Sequence, residues 1–148
     1  MSVKLLLVED SKFLRAANER ALLKAGFQVS TAADGEEVLK VAAEILPDII
    51  LLDMMLPKIS GPNVLKALKA NSATAQIPVI VLTSLSQKNE EKLVSEGADA
   101  YIEKSSLGID KDSSVLAATV EKVLERVNHK KGVDLRLRDL ARKKAAGE

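Results

Sequence analysis

Five polar residues stand at the ends of apolar runs, and their types suit one kind of chemistry. Glu9 and Asp10 follow the run at 5–8, and Asp53 follows "IILL" at 49–52. Thr83 follows "IPVIVL" at 77–82, and Lys104 follows "YIE" at 101–103. Three carboxylates brought within a few ångströms would raise one another's pKa values unless a cation joined them. A hard divalent ion is the natural partner. Mg²⁺ prefers oxygen ligands, keeps several waters and often bridges carboxylates to phosphate. With the Lys104 ammonium and the Thr83 hydroxyl, such a set could neutralise a phosphoryl group carried on one of the acids.

These residues meet only if the fold brings the run ends together. The runs at 3–8, 27–32, 48–52, 77–82 and 98–103 are continuous rather than alternating, which suits strands buried on both faces of a parallel sheet. Helical patterns lie between them. Ser11 to Ala25 places Leu14, Ala17, Ala21, Leu22 and Ala25 on one face, with Gly26 as the stop. Asp34 with Glu37 forms a capping box opening a helix that buries Val38, Leu39, Ala42, Ile45 and Leu46 before Pro47. Gly61-Pro62 opens a third helix. Ser86 and Gly97 bound a fourth, and a fifth runs from about 113 to 129 with Val115, Leu116, Val120, Val123, Leu124 and Val127 inward. Five βα units in series predict an α/β fold, a flavodoxin-like (βα)5 doubly wound parallel sheet of order 2-1-3-4-5. Ligands in such sheets bind beyond the carboxyl ends of the strands where the order reverses, here between the first and third strands. Glu9, Asp10 and Asp53 are expected at that point.

The chain also resembles a known family. "VEDS" at 8–11, "DMMLPKISG" at 53–61, "TS" at 83–84 and "YIEK" at 101–104 are similar, in order and spacing, to the signature set of response-regulator receiver domains. The likeness covers roughly residues 1–128. It implies a receiver domain over 1–129, with 130–148 a basic tail or an extra helix. It implies that Asp53 is the phosphoacceptor, taking phosphate from a histidine kinase or histidine phosphotransfer protein. Glu9, Asp10, Asp53 and the backbone carbonyl of Met55 would hold Mg²⁺. Thr83 and Lys104 would contact the phosphoryl group, and Tyr101 would act as a rotamer switch. The switched face, made of the fourth helix, fifth strand and fifth helix, would dock a downstream protein or serve a phosphorelay. Ser105 stands where the family usually has proline, which bears on the reach of Lys104. The apolar Met54, Met55 and Leu85 flank the site and offer nothing to position a hydrolytic water, so slow self-dephosphorylation is expected.

Plainer readings stand beside these. Glu9 and Asp10 alone would pass for acids favoured at a helix start, Asp53 for a turn residue, Thr83 for a cap and Tyr101 for edge packing. An aspartate-nucleophile phosphatase would carry a second aspartate two residues after the nucleophile, where this chain has Met55. A non-phosphorylated interaction module on the same fold is the other rival. His129, the sole histidine, suits a helix C-terminus better than a catalytic role.

Composition narrows the classes. With 148 residues and 47% hydrophobic content, one domain with one core is expected. The net charge of +1 gives no global pull towards nucleic acid or membrane. It is uneven: 129–148 carries a net of +4, leaving −3 for the rest. No cysteine is present, and no apolar stretch approaches the ~18 residues of a membrane span. A soluble cytoplasmic protein, a stand-alone receiver compatible with homodimerisation, is the expectation.

Overall fold

The computed structural model describes residues 3–54, 56–83 and 97–103, and helical positions 117, 118, 120–122 and 124–126. Five strands form one sheet: β1 (Lys4–Val8), β2 (Gln28–Ala32), β3 (Ile49–Asp53), β4 (Val79–Thr83) and β5 (Ala100–Glu103). Their order is β2-β1-β3-β4-β5 and every pairing is parallel, as the serial βα pattern requires. Among the described residues, α1 (Lys12–Lys24), α2 (Gly35–Ile45) and α3 (Gly61–Ala70) join β1 to β2, β2 to β3 and β3 to β4.

Successive strand residues point to opposite faces, and both faces are apolar. Leu5, Leu7, Ile49, Leu51, Ile80 and Leu82 pack on one side with Leu22 and Phe27 and with the helical positions Ala117, Val120 and Leu124. Leu6, Val8, Ile50, Leu52, Val79 and Val81 pack on the other with residues of α2 and α3, such as Val38, Leu65 and Leu68. Each fully buried aliphatic side chain contributes about 1.5–3 kcal/mol by removal from water. The sheet can therefore carry polar groups at its ends.

The helix boundaries follow from local chemistry. Ser11 caps α1, its Oγ accepting from the Leu14 N–H at 3.3 Å. The helix ends at Gly26, whose φ of 101° few other residues would adopt. Gly26 N–H then donates to Leu23 O and Phe27 N–H to Leu22 O, closing the end and turning Phe27 into the core. Asp34 caps α2 by accepting from Glu37 N–H at 2.8 Å. Glu37 Oε2 accepts from the Ala33 N–H rather than from that of Asp34, so the box is wider by one residue.

Two side chains expected inside lie outside. Ala25 and Leu46 are exposed. Both are C-cap residues, where the chain leaves the helical path, and Leu46 sits in the left-handed region at φ 46°. Of the fifth helix's expected inward positions, Val120 and Leu124 are buried; Val115, Leu116, Val123 and Val127 fall outside what is described. The same holds for Ser86 and for nearly all of the fourth helix. Among the described residues no helix is long and apolar enough to cross a membrane.

Candidate phosphoacceptor site

The carboxyl end of β1 delivers Glu9 directly. Its N–H donates to Ala32 O at 3.1 Å, which extends the β1–β2 ladder by one step. Glu9 is 1% exposed, whereas Asp10, one residue further, is exposed. Asp53 ends β3 and is also 1% exposed. The next N–H, that of Met54, donates to Leu82 O at 3.1 Å, so β3 stays pinned to β4 just past the acid. As β1 and β3 are neighbours at the order reversal, the three acids converge: one carboxylate oxygen from each lies within 4.8 Å of the others.

The loop leaving Asp53 is held from two sides. Ile59 N–H donates to Pro57 O at 2.8 Å across Lys58, whose φ is 68°. This tight γ-turn puts a non-glycine residue in the left-handed region. The turn rests on the start of α2. Gly35 N–H donates to Pro57 O at 3.3 Å, and Lys58 Nζ lies 3.5 Å from Asp34 and 3.7 Å from Glu36. A Cβ on Gly35 would stand 2.5 Å from Ile59 Cβ. The Asp34 carboxyl is held below its ordinary pKa, first by the Glu37 N–H it caps. Partial desolvation opposes this and the Lys58 ammonium assists it. At the far end of the loop Gly61 N–H donates to Met54 O at 3.3 Å, with the two backbones in close approach.

The other expected site residues differ in what can be said of them. Thr83 ends β4 and pairs with Glu103, so its backbone stands at the same end of the sheet as the acids. Tyr101 lies in β5 opposite Val81. Met55, Lys104, Ser105 and Leu85 lie outside the described residues, as does His129. One contact near the acids was not expected from the sequence. Arg15 Nη1 donates to the Glu9 carbonyl at 2.9 Å. Arg15 reads as one more polar position on α1; only the turn between β1 and α1 brings it back over Glu9.

A strand end that gathers three carboxylates in this way could hold a hard cation, and through it an oxyanion. Known proteins share the arrangement's frame. Residues 5–111 match the family model of the response regulator receiver domain. The gliding motility regulatory protein of Myxococcus xanthus is 40% identical over 123 residues, which is 82% of this chain and 15% of that protein. The transcriptional regulatory protein AfsQ1 of Streptomyces coelicolor is 39% identical over 123 residues, 82% of this chain and 51% of its own length. The chain thus spans about half of one of these relatives and less of the other. Among solved structures, the chemotaxis response regulator CheY4 of Vibrio cholerae superposes with a TM-score of 0.74 at 29% identity, covering 83% of this chain and 99% of that one. On its sheet order, on the acids at its strand ends and on these likenesses, the chain belongs to the response regulator receiver domain family of two-component signalling.

Proposed function

We propose that Asp53 accepts a phosphoryl group from a phosphohistidine on a histidine kinase or phosphotransfer protein, with Mg²⁺ held by Glu9, Asp10, Asp53 and the Met55 carbonyl. The convergence of the three carboxylates within 4.8 Å carries this reading. Ligand oxygens on opposite sides of Mg²⁺ stand about 4 Å apart. Adjacent ligand oxygens stand only about 3 Å apart, and three ligands include at most one opposite pair, so binding the ion would draw the trio together by up to about 2 Å. When bound, Mg²⁺ would draw charge from the phosphoryl oxygens as the group is transferred.

The chain's own residues supply the remainder. Asp53, buried at a fixed strand end, presents a carboxylate oxygen in a constant direction, which is what in-line attack on phosphorus needs. The N–H groups of the loop after Asp53, Thr83 and Lys104 are assigned to the phosphoryl oxygens. Once formed, the acyl phosphate favours whichever loop conformation pairs its extra charge, and Tyr101 would report the change on the face carrying β5. A downstream protein, or the next carrier in a relay, would dock there.

The test is treatment of the intact chain with acetyl phosphate, or with BeF₃⁻, in Mg²⁺. Expected are a mass gain of one phosphoryl group from acetyl phosphate, with release of acetate, lost in Asp53→Asn, and amide shifts around 53–61 and 83 with either reagent. No gain with either Mg²⁺ or Mn²⁺ would sink the proposal. Unchanged partner affinity with and without BeF₃⁻ would favour a phosphate-independent docking module instead.

A further inference from the structure

Both backbone groups of Glu9 are tied. Its N–H donates to Ala32 O on β2, and its C=O accepts from Arg15 Nη1 on α1. That carbonyl belongs to the peptide unit leading into Asp10, so its orientation sets the direction in which Asp10 leaves the strand. Asp10 is exposed, and packing does not lock it in place. Ser11, the next residue, is already committed to capping α1. We infer that Arg15 is a positioning residue for the acid trio, acting through the Glu9–Asp10 peptide to aim the Asp10 carboxylate. This rests on the Mg²⁺ reading above.

Arg15 could act in two ways, and they have opposite signs. As a bare positive charge beside the acids it would oppose a divalent cation, and its removal would tighten Mg²⁺ binding. As a directed donor it holds the peptide plane, and its removal would let Asp10 wander and weaken binding. Arg15 is only half-buried, so its charge acts through an effective dielectric constant of about 20, far above that of a dry interior. The hydrogen bond is short and charge-assisted. Position therefore outweighs charge.

The experiment is Mg²⁺ titration of the full chain by calorimetry, with backbone amide spectra at each point. Arg15→Met keeps the apolar stem and removes the donor. Groups that orient metal ligands typically change affinity by about tenfold or more when lost, so a rise in Kd of about tenfold is expected. The Asp10 amide should also be displaced before any Mg²⁺ is added. Arg15→Lys, which restores a donor, should fall between the two. Equal or tighter Mg²⁺ binding by Arg15→Met overturns the inference while leaving the metal reading intact. An intact chain that takes up no Mg²⁺ overturns both. Should Arg15→Met fail to fold, Arg15→Gln is read in its place: its shorter amide cannot span the same gap, and the same loss is expected.

Discussion

Alanine at Gly61 should disturb the candidate site from behind. The added Cβ would stand 2.6 Å from Met54 Cα, 2.7 Å from its O and 2.9 Å from its C. All three are backbone atoms, so no rotamer change relieves the overlap. Reaching even 3.4 Å, the near limit of ordinary contact, requires an opening of about 0.8 Å. Met54 is bonded to Leu82 and directly follows Asp53, so the shift is felt at the nucleophile. Overpacking of this kind costs about 1–3 kcal/mol. Loss of glycine's freedom in the unfolded chain returns about 0.4–1 kcal/mol. A net loss of about 0.5–2 kcal/mol follows, lowering Tm by a few degrees in a domain of this size. Displacement of a reacting group by about 1 Å can slow chemistry by as much as ~100-fold, so phosphoryl uptake from acetyl phosphate should fall more than stability does. Urea unfolding and the uptake rate, measured on one preparation, test both. An unfolding midpoint and an uptake rate equal to wild type would refute the close-approach argument.

Further outcomes are expected elsewhere. Asn18 is buried in α1 and its Oδ1 has no hydrogen-bond partner among the described residues; Asn18→Leu should raise the urea midpoint by the equivalent of about 1 kcal/mol, and a lowered midpoint would contradict this. Leu52 is fully buried beside Asp53, and Leu52→Ala should destabilise by about 2–5 kcal/mol in the same assay. Because the folded pKa of Asp34 lies below its unfolded value, its charge stabilises at pH above the unfolded value, and that gain is lost as pH falls through the folded one. Asp34→Asn keeps a capping side chain but should lose less stability than wild type as pH falls through and below 3.8, the ordinary value of this carboxyl; parallel acid limbs in the two titrations would count against the assignment.

Much of this was legible in the sequence, and the reason is physical. Strands such as Ile49–Asp53 are buried throughout, and a continuous apolar run reports that directly. Ser11, Asp34 and Gly26 act within four residues of themselves, so their roles are local and readable. The serial βα pattern suited the doubly wound order 2-1-3-4-5, and that order carried Glu9, Asp10 and Asp53 to one place. What escaped was set by contacts that periodicity does not encode. Leu46 continues the apolar spacing of α2 but lies past its last regular residue. Lys58 adopts a left-handed turn because Pro57 and Ile59 are bonded across it and the start of α2 lies beneath. Arg15 finds Glu9 only once the turn after β1 is made.

In β1, β3 and β4 the residues facing either side of the sheet are apolar, which carries a consequence for alignment. Where one face meets water, a strand that slips by one residue exposes its hydrophobic set and is penalised at once. Here a slipped strand would still present apolar residues to both sides, so burial alone fixes the alignment weakly. Polar bonds at the opposite end of the sheet from the acids make up the difference. Asp48, just before β3, accepts from the Lys4 N–H at the start of β1 at 2.9 Å, and its own N–H donates to Lys4 O at 2.8 Å. Asp99, just before β5, does the same with Val79 at the start of β4, at 2.9 and 3.0 Å. Lys69 of α3 adds an ion pair to Asp99 at 3.3 Å. Each clasp locks two strands in step, so the height at which Glu9 and Asp53 emerge on one rim is gauged from the other, five residues below.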